Sequence, residues 1–66
     1  MIKILDYLLL KCNTNTITHI KLETARDMVL HGNYEYSLEL LKECLSLKDK
    51  FPDEYHKLCS ALKNKL

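Results

Sequence analysis

Ten basic and nine acidic side chains in sixty-six residues leave a net charge of +1, too little to draw a nucleic-acid backbone or an anionic membrane by bulk attraction. One Gly, one Pro and 47% hydrophobic residues exclude disorder and turn-rich β architectures, and favour packed helices in a single domain, residues 1–66. A chain this short buries only about 60% of the surface its unfolded form exposes, which leaves it marginally stable alone.

Met1 to Cys12 is predicted to be a first helix. Met1, Ile2, Leu5, Leu8, Leu9 and Cys12 share one side at helical spacing, while Lys3, Asp6 and Lys11 lie away from it. Asp6 interrupts the apolar run and no small-residue cleavage site follows, so this is read as a structural helix rather than a leader. No stretch approaches the roughly 20 apolar residues of a membrane span. A soluble, cytoplasmic chain is expected, with its three cysteines as reduced thiols. Asn13 to Thr16 form a loop of residues whose side chains bond nearby backbone.

The next segment has two readings. Thr16 to Leu22, TITHIKL, is rich in β-branched residues and is compatible with a strand pairing back across the loop. A helix over about Ile17 to His31 is favoured: Thr16 suits an N-cap, Ile17, Ile20, Thr24 and Met28 stand at helical spacing, and a lone hairpin is poorly stabilised. Gly32 then stands where a left-handed C-terminal residue lets the chain reverse. Asn33 can cap the helix that follows.

That following helix, Tyr34 to Phe51, organises the rest. Tyr34, Leu38, Leu41 and Leu45 form one apolar stripe, and Tyr36, Leu40, Cys44, Leu47 and Phe51 a second beside it. Roughly half its circumference is apolar, so it should be covered from two directions. Pro52 ends it and opens a last helix to Lys65, with Asp53 and Glu54 at its positive end and Lys63 and Lys65 at its negative end. Tyr55, Leu58, Cys59, Leu62 and Leu66 make a single stripe there. The expected fold is all-α, a small bundle of four short helices built from two antiparallel helical hairpins.

The run Gly32 to Leu47 resembles the turn and second helix of a tetratricopeptide repeat. Gly32, Asn33, Tyr34, Ser37, Leu38, Cys44 and Leu45 match that family's glycine, turn, aromatic, small and aliphatic positions, and Ala25 and Met28 match packing positions of its first helix. Lys21, Thr24 and the late Pro52 depart from it, and the likeness spans about thirty residues in one copy, where such arrays normally stack three or more. The same hairpin looks like the start of the microtubule-interacting-and-transport domain, a three-helix bundle. Either resemblance implies a module that binds a partner peptide or helix rather than an enzyme.

The chemistry-bearing residues point the same way. His56 and Cys59 are three apart on the last helix, and Cys12, Cys44, His19 and His31 are available to complete a zinc site, but there is no CxxC and Cys44 and Cys59 lie on apolar stripes. No metal, no cofactor and no small-molecule substrate are expected, and no catalytic role. Tyr7, Leu10, Tyr36, Leu40 and Leu47 are apolar beyond what a four-helix monomer hides, and are read as partner-binding residues. The expected function is a small non-catalytic interaction or regulatory module that docks on a protein partner or on itself. The alternative is a small nucleic-acid-binding regulator using Lys57, Lys63 and Lys65 of the last helix. It is disfavoured as a helix-turn-helix reader, because the helix after Gly32 is apolar on half its surface and carries Glu35, Glu39, Glu43 and Asp49 on the rest.

Overall fold

A computed structural model describes all 66 residues. The chain is all-helical: α1 is Ile2–Lys11, α2 Ile17–Leu30, α3 Tyr34–Lys42, α4 Leu45–Lys50 and α5 Pro52–Lys65. The strand reading of residues 16–22 is not realised, and the helical one is. Thr16 shows why: its Oγ1 accepts from the His19 amide at 3.2 Å while donating to the Asn13 carbonyl at 2.8 Å, so one hydroxyl caps α2 and closes the loop before it.

The turn from α2 to α3 follows the predicted chemistry. Gly32 takes φ +80°, its amide donates to the Val29 carbonyl at 3.1 Å, and the Asn33 amide donates to the Met28 carbonyl at 2.7 Å. That paired closure satisfies carbonyls that a helix end otherwise leaves open, and it requires a left-handed residue between the two bonds. Asn33 Oδ1 then accepts from the Tyr36 amide at 3.4 Å and starts α3.

Five helices form rather than four, because the segment from Tyr34 to Phe51 does not run unbroken. The Glu43 and Cys44 amides donate three residues back, to Leu40 and Leu41, tightening the last turn of α3. Cys44 (φ −92°, ψ 67°) leaves helical geometry and heads α4. No Gly or Pro lies at the break, and the two carbonyls that take these amides also accept from side chains. The Cys44 thiol donates to the Leu40 carbonyl at 3.3 Å, and the Tyr55 hydroxyl, arriving from α5, donates to the Leu41 carbonyl at 3.2 Å. The break also re-aims the leucines. Leu45 turns outward, 67% exposed, and Leu47 turns in, 1% exposed.

α3 is covered by α2 on one side and α5 on the other, and α1 in turn packs on α2 and α5, with α4 lying against α5. The two-sided shelter expected of the central segment is therefore present along α3. Thirteen buried apolar residues make one core, among them Leu5 and Leu8 of α1, Leu38 and Leu41 of α3, and Leu58 and Leu62 of α5. Each fully buried leucine contributes about 1.5–3 kcal/mol of transfer free energy.

The buried face of α2 differs from the expected stripe. Ile17 and Ile20 are exposed, and Leu22, Ala25 and Val29 face the core instead. The choice is set by α3. Ala25 and Ser37 are both fully buried, and Ser37 Oγ donates to the Ala25 carbonyl at 3.0 Å. Two small side chains let the backbones approach closely enough for that bond, which satisfies the one buried polar side chain of the core. Presenting Ile17 and Ile20 to α3 instead would rotate Ala25 out of this contact. At the surface Arg26 Nε bonds Asp6 Oδ1 at 2.6 Å, and Lys21 Nζ bonds Glu43 Oε1 at 2.9 Å. Such partly exposed pairs are worth at most about 1 kcal/mol each and set register more than stability.

Candidate interaction surface

One end of the bundle is open. The start of α1, the end of α2, the start of α3 and the end of α5 converge there on a groove lined by Met1, Ile2, Val29, Leu30, Tyr34 and Ala61. Helix ends splay as the chain turns, so side chains that are core at mid-helix become walls at the termini. Val29 stays buried, while Leu30 at the rim is 57% exposed. Asn64 and Lys65 supply a polar edge.

The five residues read as partner-binding from the sequence separate into three places. Tyr7 and Leu10 lie on the outer side of α1; Leu10 is 80% exposed. Tyr7 packs edge-on against Phe51 with ring centroids 6.1 Å apart, and Lys11 Nζ sits 5.7 Å from its ring centre, a cation–π distance. Tyr36 is half-exposed on α3, beside Asn33, Glu35 and Glu39. Leu40 and Leu47 are a correction: both are buried in the chain's own core. They belong to the second apolar stripe, with Tyr36, Cys44 and Phe51, and the chain's own packing of α3 and α4 against α5 covers both. The groove residues Met1, Ile2 and Tyr34 were legible as apolar stripe members, yet nothing in their spacing marks them as the stripe's open end.

The thiols and the buried phenol are held protonated. Burial pushes the Cys44 thiol up, with the Lys21 ammonium opposing it; burial pushes Cys12 up against the pull of Lys50, and Cys59 up against the Tyr55 hydroxyl bond. None is disposed to be a thiolate nucleophile or ligand at neutral pH, and no three His, Cys, Asp or Glu side chains converge as a metal site would need. Tyr55 is pushed from an ordinary 10.0 to about 12, chiefly by burial and next by Cys59.

These shifts have a common sign. The folded chain holds each proton more tightly than the unfolded chain, so their contribution to stability is complete below the ordinary thiol value and declines as pH rises toward 12. Thermal unfolding under reducing conditions is expected to be level from pH 7 to about 8.5 and to fall progressively above it. Tyr55→Phe should make the fall above pH 10 shallower. A midpoint that is level through pH 11 would contradict the burial of these groups.

Comparison with protein-family models, with curated proteins and with solved structures returns no match. No helix is long and apolar enough to cross a membrane.

Proposed function

We propose that the chain is a small non-catalytic interaction module that docks on a protein partner, or on a second copy of itself, in the cytoplasm. The observation that carries this reading is the apolar groove at the open end of the bundle, with Leu30 at its rim. A folded monomer of this size has little reason to leave such a groove uncovered, and exposed apolar area with a polar edge is characteristic of docking surfaces. Tyr7 and Leu10 are further exposed apolar side chains on the outer side of α1, and Tyr36 is a separate aromatic anchor on α3. The resemblance of the α2–α3 hairpin to a tetratricopeptide-type unit supports the same class of function: the buried Ala25 and Ser37 and the left-handed Gly32 give that hairpin close helix packing.

Leu30→Glu and Leu10→Glu test this reading, because both side chains are exposed and their replacement should leave helicity and melting unchanged. Association with the partner or with itself, followed by sedimentation, should weaken at least about tenfold with Leu30→Glu, because a carboxylate is then set against the apolar lining of the groove. Unchanged association in both variants would remove the groove and α1 from the reading.

A further inference from the structure

A second cleft has different chemistry. It lies where the end of α1 and the following loop meet the start of α2 and α4, has a volume of about 120 Å³, and is lined by Lys11, Asn13, Thr18, Ser46, Lys50 and Phe51 among others. No carboxylate lines it. The other strongly polar clefts are acidic: one between α1 and α2 carries Asp6, Glu23 and Asp27, and the one beside Tyr36 carries Glu35 and Glu39.

The lining is rich in donors outside the ion pairs, and Lys11 Nζ also lies against the Tyr7 ring. Lys11 and Lys50 take no part in the ion pairs of the chain, which join His19 to Glu23, Lys21 to Glu43 and Arg26 to Asp6. Thr18 Oγ1 and Ser46 Oγ share a long hydrogen bond at 3.4 Å in which either is the donor, so one of the two hydroxyls keeps a proton to give. Asn13 accepts from the Asn15 amide through Oδ1, which leaves its NH₂ group free. The remaining hydroxyl, Thr16, is already used in capping α2. Two lysines, two hydroxyl residues and an asparagine thus line, from α1, the loop, α2 and α4, a cleft that holds no carboxylate.

We propose that this cleft binds a phosphate-class oxyanion, as the free ion or as a monoester. Such a group is acceptor-only and tetrahedral, and it is the ligand that a carboxylate-free ring of cationic and neutral donors complements. A volume of about 120 Å³ admits one such group rather than a chain of them. Phe51, braced edge-on by Tyr7, forms an apolar wall against which the organic part of an ester would rest. The inference uses a different part of the molecule from the docking groove and stands or falls separately from it.

The test is an NMR titration of the full chain with inorganic phosphate at constant ionic strength, repeated with phenyl phosphate. Saturable shifts centred on the backbone amides of Asn13, Thr18 and Ser46 are expected. Binding should weaken by about tenfold or more in Lys11→Gln/Lys50→Gln, since both charge-assisted donors are lost. Both lysines are exposed, so the double variant should melt as the parent does. Tighter binding of phenyl phosphate than of phosphate assigns the site to an ester, and equal binding assigns it to the free ion. Shifts that do not saturate, that chloride reproduces at equal ionic strength, or that persist unchanged in the double variant would overturn the proposal.

Discussion

Leu47→Glu is expected to unfold this chain at room temperature. Leu47 is 1% exposed and belongs to the single core. A carboxylate there has no cationic partner in the core, and effective penalties for an unpaired buried ion run to several kcal/mol. The whole stability of a domain of this length is about 3–10 kcal/mol on the usual per-residue scale, so one such substitution removes most or all of it. Leu40→Glu should behave alike. Leu45→Glu, two residues from Leu47 and exposed, should change stability by no more than about 0.5 kcal/mol. The pair of outcomes reads the break between α3 and α4 directly, because an unbroken helix puts Leu45 on the stripe with Leu38 and Leu41. Loss of far-ultraviolet circular dichroism in Leu47→Glu with retention in Leu45→Glu is the predicted pattern, and the reverse would restore the unbroken helix.

Ala25→Leu should be nearly as damaging. Ala25 is fully buried where α2 meets α3, and its carbonyl receives the Ser37 hydroxyl at 3.0 Å. Three added heavy atoms force the helices apart or the side chain off its rotamers, at about 1–3 kcal/mol for overpacking alone. Separating the backbones also strands the buried Ser37 hydroxyl, adding about 1–3 kcal/mol more. A loss of about 3 kcal/mol or more is expected from urea unfolding. Ser37→Ala, which removes the donor without adding volume and leaves the Ala25 carbonyl to its own helix, should lose about 1 kcal/mol. If Ala25→Leu melts as the parent does, the close approach of α2 and α3 is wrong.

Where local chemistry decides the structure, the sequence was sufficient. The reversal at Gly32, the caps at Thr16 and Asn33, the start of α5 at Pro52 and the buried row Tyr55, Leu58 and Leu62 all follow from residue type and spacing. The face of α2 was not legible in the same way. Periodicity ranks Ile17 and Ile20 by hydrophobicity, whereas the fold selects the face carrying Ala25 because small size, not apolarity, is what the contact with Ser37 demands. The break at Glu43 and Cys44 was not legible either. It carries no helix-breaking residue, and it is sustained by the Tyr55 hydroxyl, a partner more than ten residues away in sequence. Leu40 and Leu47 were assigned to a docking face as part of an apolar excess that the core in fact absorbs. The docking surface itself was legible only as an excess of apolar residues; its position at the open end depends on how four helix termini meet, which spacing along one helix does not encode.

The native mass of the protein isolated from its own cells tests the account most directly. A docking module is predicted to sediment in an assembly heavier than its 7.8 kDa chain, and Leu30→Glu, folded and equally expressed, should shift to the monomer. A parent chain that sediments at 7.8 kDa at every concentration, with no companion, would contradict it.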